Sequence, residues 1–189
     1  GLFKSTNSGA TWSHVTSLNV TTTATGNGIS FVMLDPSAGT AGSETQTIIV
    51  GVSRDGVANL YRSDNGGTTF SAIAQAPTSV MPHRATLSTD GNLYITYANN
   101  DGPWNITGAG AIWKYNLSSG VWTNVTPSAG VNSSFGGISV DPANPNRLVA
   151  STINTWAPQL NGHGDRFYLT TNGGASWTDV IARGFDQDA

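Results

Sequence analysis

The chain has 189 residues, a formal net charge of −3 and no cysteine. The slight acidic excess excludes a broad basic surface for nucleic acid or anionic membranes, and the lack of thiols excludes disulfides and thiolate metal sites. Charged residues make up 10% of the chain, well below the roughly 25% of an average soluble protein. This polar, weakly charged composition with six tryptophans is typical of a secreted protein that meets sugars.

Short β-rich runs separated by Gly, Pro, Asn and Asp predict an all-β fold. Two strands come first, and three groups of four follow. The predicted strands are 2–5 and 11–15, then 29–34, 47–52, 59–63 and 69–73, then 85–88, 93–98, 111–115 and 121–125, then 137–140, 148–151, 166–169 and 176–180. Four strands make one blade of a β-propeller. We therefore expect a partial propeller over 1–189, with a half blade at 1–15 and blades at 28–73, 85–126 and 137–181.

A repeated turn supports this division. The pattern Ser/Thr-x-Asp/Asn-x-Gly-x-Thr/Ser-Trp/Phe, known as the Asp-box, ends at Trp12, Phe70 and Trp177, and a shortened version ends at Trp122. A repeat of about fifty residues built from strands is typical of propellers. Polar side chains in such a turn bond their own backbone, so Asn7, Asp64, Asn65 and Asn172 are interpreted as structural. Closed propellers need about 4–8 blades, so about three and a half blades predict an arc of a larger propeller or closure by self-association.

Function is expected where the loops from fourth to first strands and from second to third strands share a face. These loops are 16–28, 75–84 and 128–136, with 53–58, 99–110 and 154–165. These loops hold His83, Arg84, Trp104 and Trp156, and each of the two Trp rings could stack on a sugar ring or cover the base of its own loop.

The same loops hold Asp55, Asp101 and Asp165, which could supply the carboxylate pair of a glycosidase or could simply form turns. His83 and His163 lie far apart, which argues against a metal site. The sequence indicates no cofactor.

The chain also resembles a known family in its loops. The run Met81-Pro82-His83-Arg84 and several later segments resemble glycoside hydrolase family 74, the xyloglucanases and xyloglucan reducing-end-specific cellobiohydrolases. The later segments are 93–99, 101–103, 113–116, 119–123, 139–142, 150–152 and 154–156. The resemblance runs from Gly1 to about Val180 and departs after it.

The resemblance implies two seven-bladed propellers facing across a cleft, in which xyloglucan is cleaved with inversion by one Asp from each propeller. This chain looks like a middle part of the N-terminal propeller. The resemblance implies that the loops around His83 and Trp156 form part of the cleft wall, and we expect His83, Arg84, Trp104 and Trp156 to bind substrate. It contains no Arg-Thr-Asp-Ile-Gly-Gly-type segment for the base, and the acid belongs to the second propeller, so no catalytic residue is carried over.

We therefore expect a segment of a secreted xyloglucan-degrading hydrolase that supplies part of the cleft and is not catalytic alone. Its partners would be xyloglucan or a related β-glucan and the remaining blades or a second copy. The alternative is a self-associating, non-catalytic carbohydrate-binding or scaffold propeller. A sialidase, which would need a cluster of arginines at its site, is disfavoured. Arg62 and Arg166 fall in third strands, and Arg147 is expected on the face opposite the functional loops.

Overall fold

The computed structural model describes residues 1–20, 28–99, 110–128, 133–153 and 165–180. Within these ranges the chain forms β-strands and one short 3-10 helix at Pro36–Ala38. The strands are β1 (Phe3–Lys4), β2 (Ser13–His14), β3 (Ile29–Leu34), β4 (Ile48–Val52), β5 (Leu60–Ser63), β6 (Ser71–Ala72), β7 (Met81–Leu87), β8 (Asn92–Ala98), β9 (Ala111–Asn116), β10 (Trp122–Asn124), β11 (Ser134–Asp141), β12 (Asn144–Ile153), β13 (Phe167–Thr170) and β14 (Thr178–Asp179). The predicted all-β class is confirmed.

The described strands form antiparallel sheets in which chain neighbours pair. One two-stranded sheet, β1–β2, precedes three four-stranded sheets with the orders β3-β4-β5-β6, β7-β8-β9-β10 and β11-β12-β13-β14. We call these sheets 1, 2 and 3. This up-and-down order of four strands is that of a propeller blade.

The core lies between successive sheets. Alternate residues of β8 point to opposite faces, as the two-residue strand period requires. Leu93, Ile95 and Tyr97 pack with residues of sheet 1 such as Leu60, while Tyr94 packs with residues of sheet 3 such as Leu148 and Tyr168. Sheet 2 is therefore buried on both faces.

No further sheet of the described residues covers either end of this row, and we call these the open ends. Phe3, Trp12 and Leu34 are more than half exposed at one end, and Val149 and Phe167 are 45% and 50% exposed at the other. A groove of about 570 Å³ lies between the two-stranded sheet and sheet 1, with Phe3, Trp12 and Leu34 among its lining residues.

The first strands of sheets 2 and 3 begin earlier than the sequence suggests. The Gly and Pro residues around Pro82 and Gly136 favour loops up to residues 84 and 136, but β7 begins at Met81 and β11 at Ser134. Each extension contains an irregularity that a search for regular alternation misses: the register shifts between Pro82 and Arg84 and between Phe135 and Gly137.

No helix among the described residues has the length and apolar character of a membrane span.

Candidate functional site

Several connections between strands meet at one end of the sheets. We call this end the loop face and define it, within the described residues, by 53–59, 74–83, 99, 110 and 133–136. Hydrogen bonds join its parts: the Gly56 N–H donates to the Thr78 carbonyl at 2.6 Å, and the Gly110 N–H donates to the Ser133 carbonyl at 3.0 Å. Among the described residues, these two hydrogen bonds each join a second-to-third-strand loop to the fourth-to-first-strand connection that follows it, as the topology of an antiparallel meander predicts.

The structure corrects the placement of His83 and Arg84. The sequence predicted them in a loop, whereas both belong to β7. His83 is the extra residue of a β-bulge, because Pro82 pairs with Tyr97 and Arg84 pairs with the next residue, Thr96. His83 is partly buried and Arg84 is exposed. Bulges of this kind re-aim side chains and are frequent next to functional sites.

The same bulge occurs in the first strand of all three four-stranded sheets. Ser30 is the extra residue of β3, His83 of β7 and Gly136 of β11. Because these strands start at the loop face, the three bulges lie at equivalent places along it. The bulge is thus a feature of the repeat, while its side chain differs from sheet to sheet.

Thr96 connects two of these bulges. Its hydroxyl accepts a hydrogen bond from the Arg84 N–H at 3.2 Å, and it lies 3.3 Å from the Arg84 carbonyl and 3.5 Å from the Gly136 carbonyl. Thr96 is fully buried. A single hydroxyl therefore holds the backbone around Arg84 against the neighbouring sheet.

The loop between β4 and β5 is held by two polar side chains. Arg54 donates through Nε and Nη2 to the Ala58 carbonyl at 2.9 and 2.6 Å, and its guanidinium lies over the Tyr61 ring, 5.7 Å from the centroid. Asn59 is fully buried and donates to carbonyls of this loop and of the connection to sheet 2. The sequence showed no motif for either role, because the partners are backbone carbonyls that only the folded chain brings together.

Two of the three candidate carboxylates lie among the described residues, and they belong to loops of different sheets. Asp55 is exposed in the loop after β4. Asp165 precedes β13 in sheet 3, where its Oδ1 accepts from the Thr152 hydroxyl at 3.1 Å. Asp101 lies outside the described residues, as do the predicted stacking residues Trp104 and Trp156 and also His163.

The asparagines of the repeated turns bond within their own turns, whereas Asp64 Oδ1 accepts from Arg62 Nε at 2.8 Å and from the Thr47 hydroxyl at 3.2 Å. In the turn that ends at Trp177, Asn172 Oδ1 accepts from the Ser176 N–H at 2.9 Å, and Asn172 Nδ2 donates to the Ser176 hydroxyl at 2.8 Å. Asn7 and Asn65 make the equivalent bonds at the same distances. These side chains are engaged with their own turns, in agreement with their structural interpretation.

The shortened turn differs. Asn116 Oδ1 accepts from the N–H groups of Ser118 and Ser119 at 3.2 and 2.8 Å, and the Gly120 N–H donates to the Asn116 carbonyl at 2.9 Å. Its closing aromatic, Trp122, nevertheless donates through Nε1 to the Ala74 carbonyl of the preceding sheet at 3.0 Å.

Comparison with known proteins agrees with this architecture. No family model matches the chain. A xyloglucanase from a Paenibacillus species is 38% identical over 194 residues, a match that covers 95% of this chain and 18% of that protein. A xyloglucanase from Hypocrea jecorina is 32% identical and covers 96% of this chain and 23% of its own length. The chain thus spans about a fifth of the length of these curated relatives.

Two solved structures extend the comparison to the fold. The Niastella koreensis enzyme of glycoside hydrolase family 74 superposes with a TM-score of 0.83 at 48% identity, covering 95% of this chain and 26% of that one. The family 74 xyloglucanase from Xanthomonas campestris gives a TM-score of 0.82 at 30% identity, covering 96% and 27%. The sheet order and these superpositions define a segment of a β-propeller. More narrowly, the chain is a segment of glycoside hydrolase family 74, and the predicted family is confirmed.

Proposed function

We propose that this chain is part of a secreted hydrolase that degrades xyloglucan by inverting cleavage of its β-1,4-glucan backbone. The chain supplies part of the wall of the substrate cleft and does not catalyse the reaction alone. The observation that carries the proposal is the match to relatives named xyloglucanases along 95% of the chain.

The loop face supports a binding role for His83 and Arg84. The bulge lies near the start of β7, the first strand of sheet 2, and the Thr96 hydroxyl accepts from the Arg84 N–H. An exposed guanidinium beside an imidazole offers several hydrogen-bond donors to sugar hydroxyls. Trp104 and Trp156 are proposed to add stacking surfaces, because the sequence predicts that their loops reach the same face.

The binding role can be tested with xyloglucan oligosaccharides and the purified 189-residue chain. We expect Arg84→Ala and His83→Ala each to raise the Kd by about fivefold or more, as truncation of a central contact does. Arg147→Ala is the matched control, because Arg147 is also exposed but pairs with Asp141 at the opposite end of sheet 3. Unchanged affinity in both loop-face variants would contradict the role.

The absence of catalysis is tested separately. The purified chain should release no reducing sugar from xyloglucan, because neither of the two acids that the family resemblance implies is matched in it. Clear turnover that is lost in Asp101→Ala or Asp165→Ala would overturn this part of the proposal.

The alternative, a self-associating carbohydrate-binding or scaffold propeller, is favoured by one observation. Apolar side chains are exposed at both open ends of the row of sheets, with Trp12 62% and Phe167 50% exposed. A second copy of the chain could cover them.

A further inference from the structure

Asn59 is a fully buried amide at the junction of two sheets. It lies between the loop after β4 and the start of β5, and its exposed fraction is 0%. Its Nδ2 donates to the carbonyls of Arg54, Pro77 and Val80 at 3.2, 3.0 and 2.9 Å. Two N–H hydrogens thus face three carbonyl oxygens. The opposite amide orientation would turn Oδ1 toward the same oxygens, so the geometry fixes which side of the amide points to them.

These contacts join two separate parts of the loop face. The Arg54 carbonyl belongs to the same loop as Asn59, while Pro77 and Val80 belong to the connection that leads into sheet 2. One further bond, from the Gly56 N–H to the Thr78 carbonyl, runs between the same two segments. Val80 directly precedes β7, so the connection that Asn59 holds leads within a few residues to His83 and Arg84.

This link is not a general property of the repeat. In sheet 1, Leu60 of the third strand pairs with Gly51 of the second strand. The equivalent pairs are Ile112 with Thr96 in sheet 2 and Phe167 with Ser151 in sheet 3. The positions that correspond to Asn59 are therefore Ala111 and Arg166, neither of which has a carboxamide.

Between sheets 2 and 3 the corresponding contact is made by backbone. The Gly110 N–H donates to the Ser133 carbonyl, and a Cβ on Gly110 would lie only 2.6 Å from Ser134 Cα. The Asn59 contact belongs specifically to the part of the loop face that carries His83 and Arg84.

We propose that Asn59 is a positioning residue for the substrate-binding face. It makes no contact with substrate itself. By holding 77–80 against the loop 53–58, it sets where β7 begins and so where the side chains of His83 and Arg84 are presented. The inference deepens the function proposed above and rests on it for its relevance to xyloglucan.

The test is Asn59→Asp in the 189-residue chain near neutral pH. The replacement keeps the shape but turns a carboxylate oxygen toward three carbonyl oxygens and removes the donor. We expect amide hydrogen exchange to accelerate by about tenfold or more at Gly56 and Arg84, while exchange in sheet 3 stays unchanged. The Kd for xyloglucan oligosaccharides should rise by about fivefold or more. If Asn59→Asp fails to fold, Asn59→Ala removes the donor without adding charge and should show the same local pattern.

Trp177→Phe is the control for a merely structural effect. It removes a 2.7 Å hydrogen bond to the Val125 carbonyl between sheets 2 and 3, and it should lower thermal stability without changing Gly56 exchange or oligosaccharide affinity. Unchanged exchange at Gly56 and Arg84 in both Asn59 variants, or acceleration spread evenly over all sheets, would overturn the positioning role. If the wild-type chain binds no xyloglucan oligosaccharide, the proposed function fails, whereas accelerated exchange confined to 53–58 and 77–84 still supports the link.

Discussion

At the scale of single residues, Tyr97 carries a buried hydroxyl. The side chain is fully buried between sheets 1 and 2, and its OH has no hydrogen-bond partner among the described residues. Burial raises the pKa of this phenol well above its ordinary value. An unpaired buried hydroxyl costs free energy that the ring's apolar packing must offset.

We therefore expect Tyr97→Phe to leave the free energy of unfolding unchanged or to raise it by about 1 kcal/mol, as measured by urea denaturation. Tyr61→Phe is the matched control. The Tyr61 hydroxyl donates to the Ala58 carbonyl at 3.2 Å and accepts from Arg54, so its loss should cost about 1 kcal/mol. A destabilisation by Tyr97→Phe as large as that of Tyr61→Phe would contradict the expectation.

At the scale of elements, the closing aromatics of the repeated turns join one sheet to the next. Trp122 and Trp177 each donate through Nε1 to a carbonyl at the end of the preceding sheet, Ala74 and Val125. The turn before Trp177 also lies close to the preceding sheet, since a Cβ on Gly174 would lie 2.8 Å from Val125 Cβ. Trp12 has no preceding sheet among the described residues, and its Nε1 donates to Gly9 of its own turn.

The two tryptophans should respond differently to the same substitution. Trp177→Phe loses the contact between sheets and should lower the free energy of unfolding by about 1–2 kcal/mol. Trp12→Phe alters an exposed ring and should change it by less than about 0.5 kcal/mol. Chemical denaturation of the two variants beside the wild type measures the difference, and equal losses would contradict a role for Trp177 between sheets.

Element positions were largely predictable from the sequence, because burial on one or both faces leaves a readable pattern. The run Ile29–Leu34 matches β3, and the predicted strand 93–98 lies within β8. The start of β7 was not predictable, because Pro82 and the bulge at His83 interrupt the alternation that marks a strand.

The loop face was located from topology alone. Asn59 was missed, since its role depends on carbonyls 18 and 21 residues away.

At the scale of the whole molecule, the apolar side chains exposed at the two open ends predict association in solution. Leu34 and Phe167 expose apolar surface at opposite ends of the row of sheets. Because the two ends carry different surfaces, contacts between copies of the chain would be head-to-tail, and such contacts build rings or open chains. Such contacts would cover surface that other blades cover in a complete propeller.

We expect the purified 189-residue chain to associate as its concentration rises, measured as molar mass by light scattering after size exclusion. Leu34→Ser and Phe167→Ser should each lower the average mass, because each removes apolar area from one end. Val121→Ser is the control, since Val121 is 57% exposed but lies in the turn before β10 of sheet 2. A single monomer mass at all concentrations would contradict the expectation.

The bulges at Ser30, His83 and Gly136 have an evolutionary consequence. At each bulge the register shifts by one residue, and the strand pairing resumes on either side of it. The chain already holds a hydroxyl, an imidazole and no side chain at these three places. Gly136 admits little change, because a Cβ there would lie 2.0 Å from Ile153 Cγ2, so we expect evolutionary variation of the side chain at the first two bulges and not at the third.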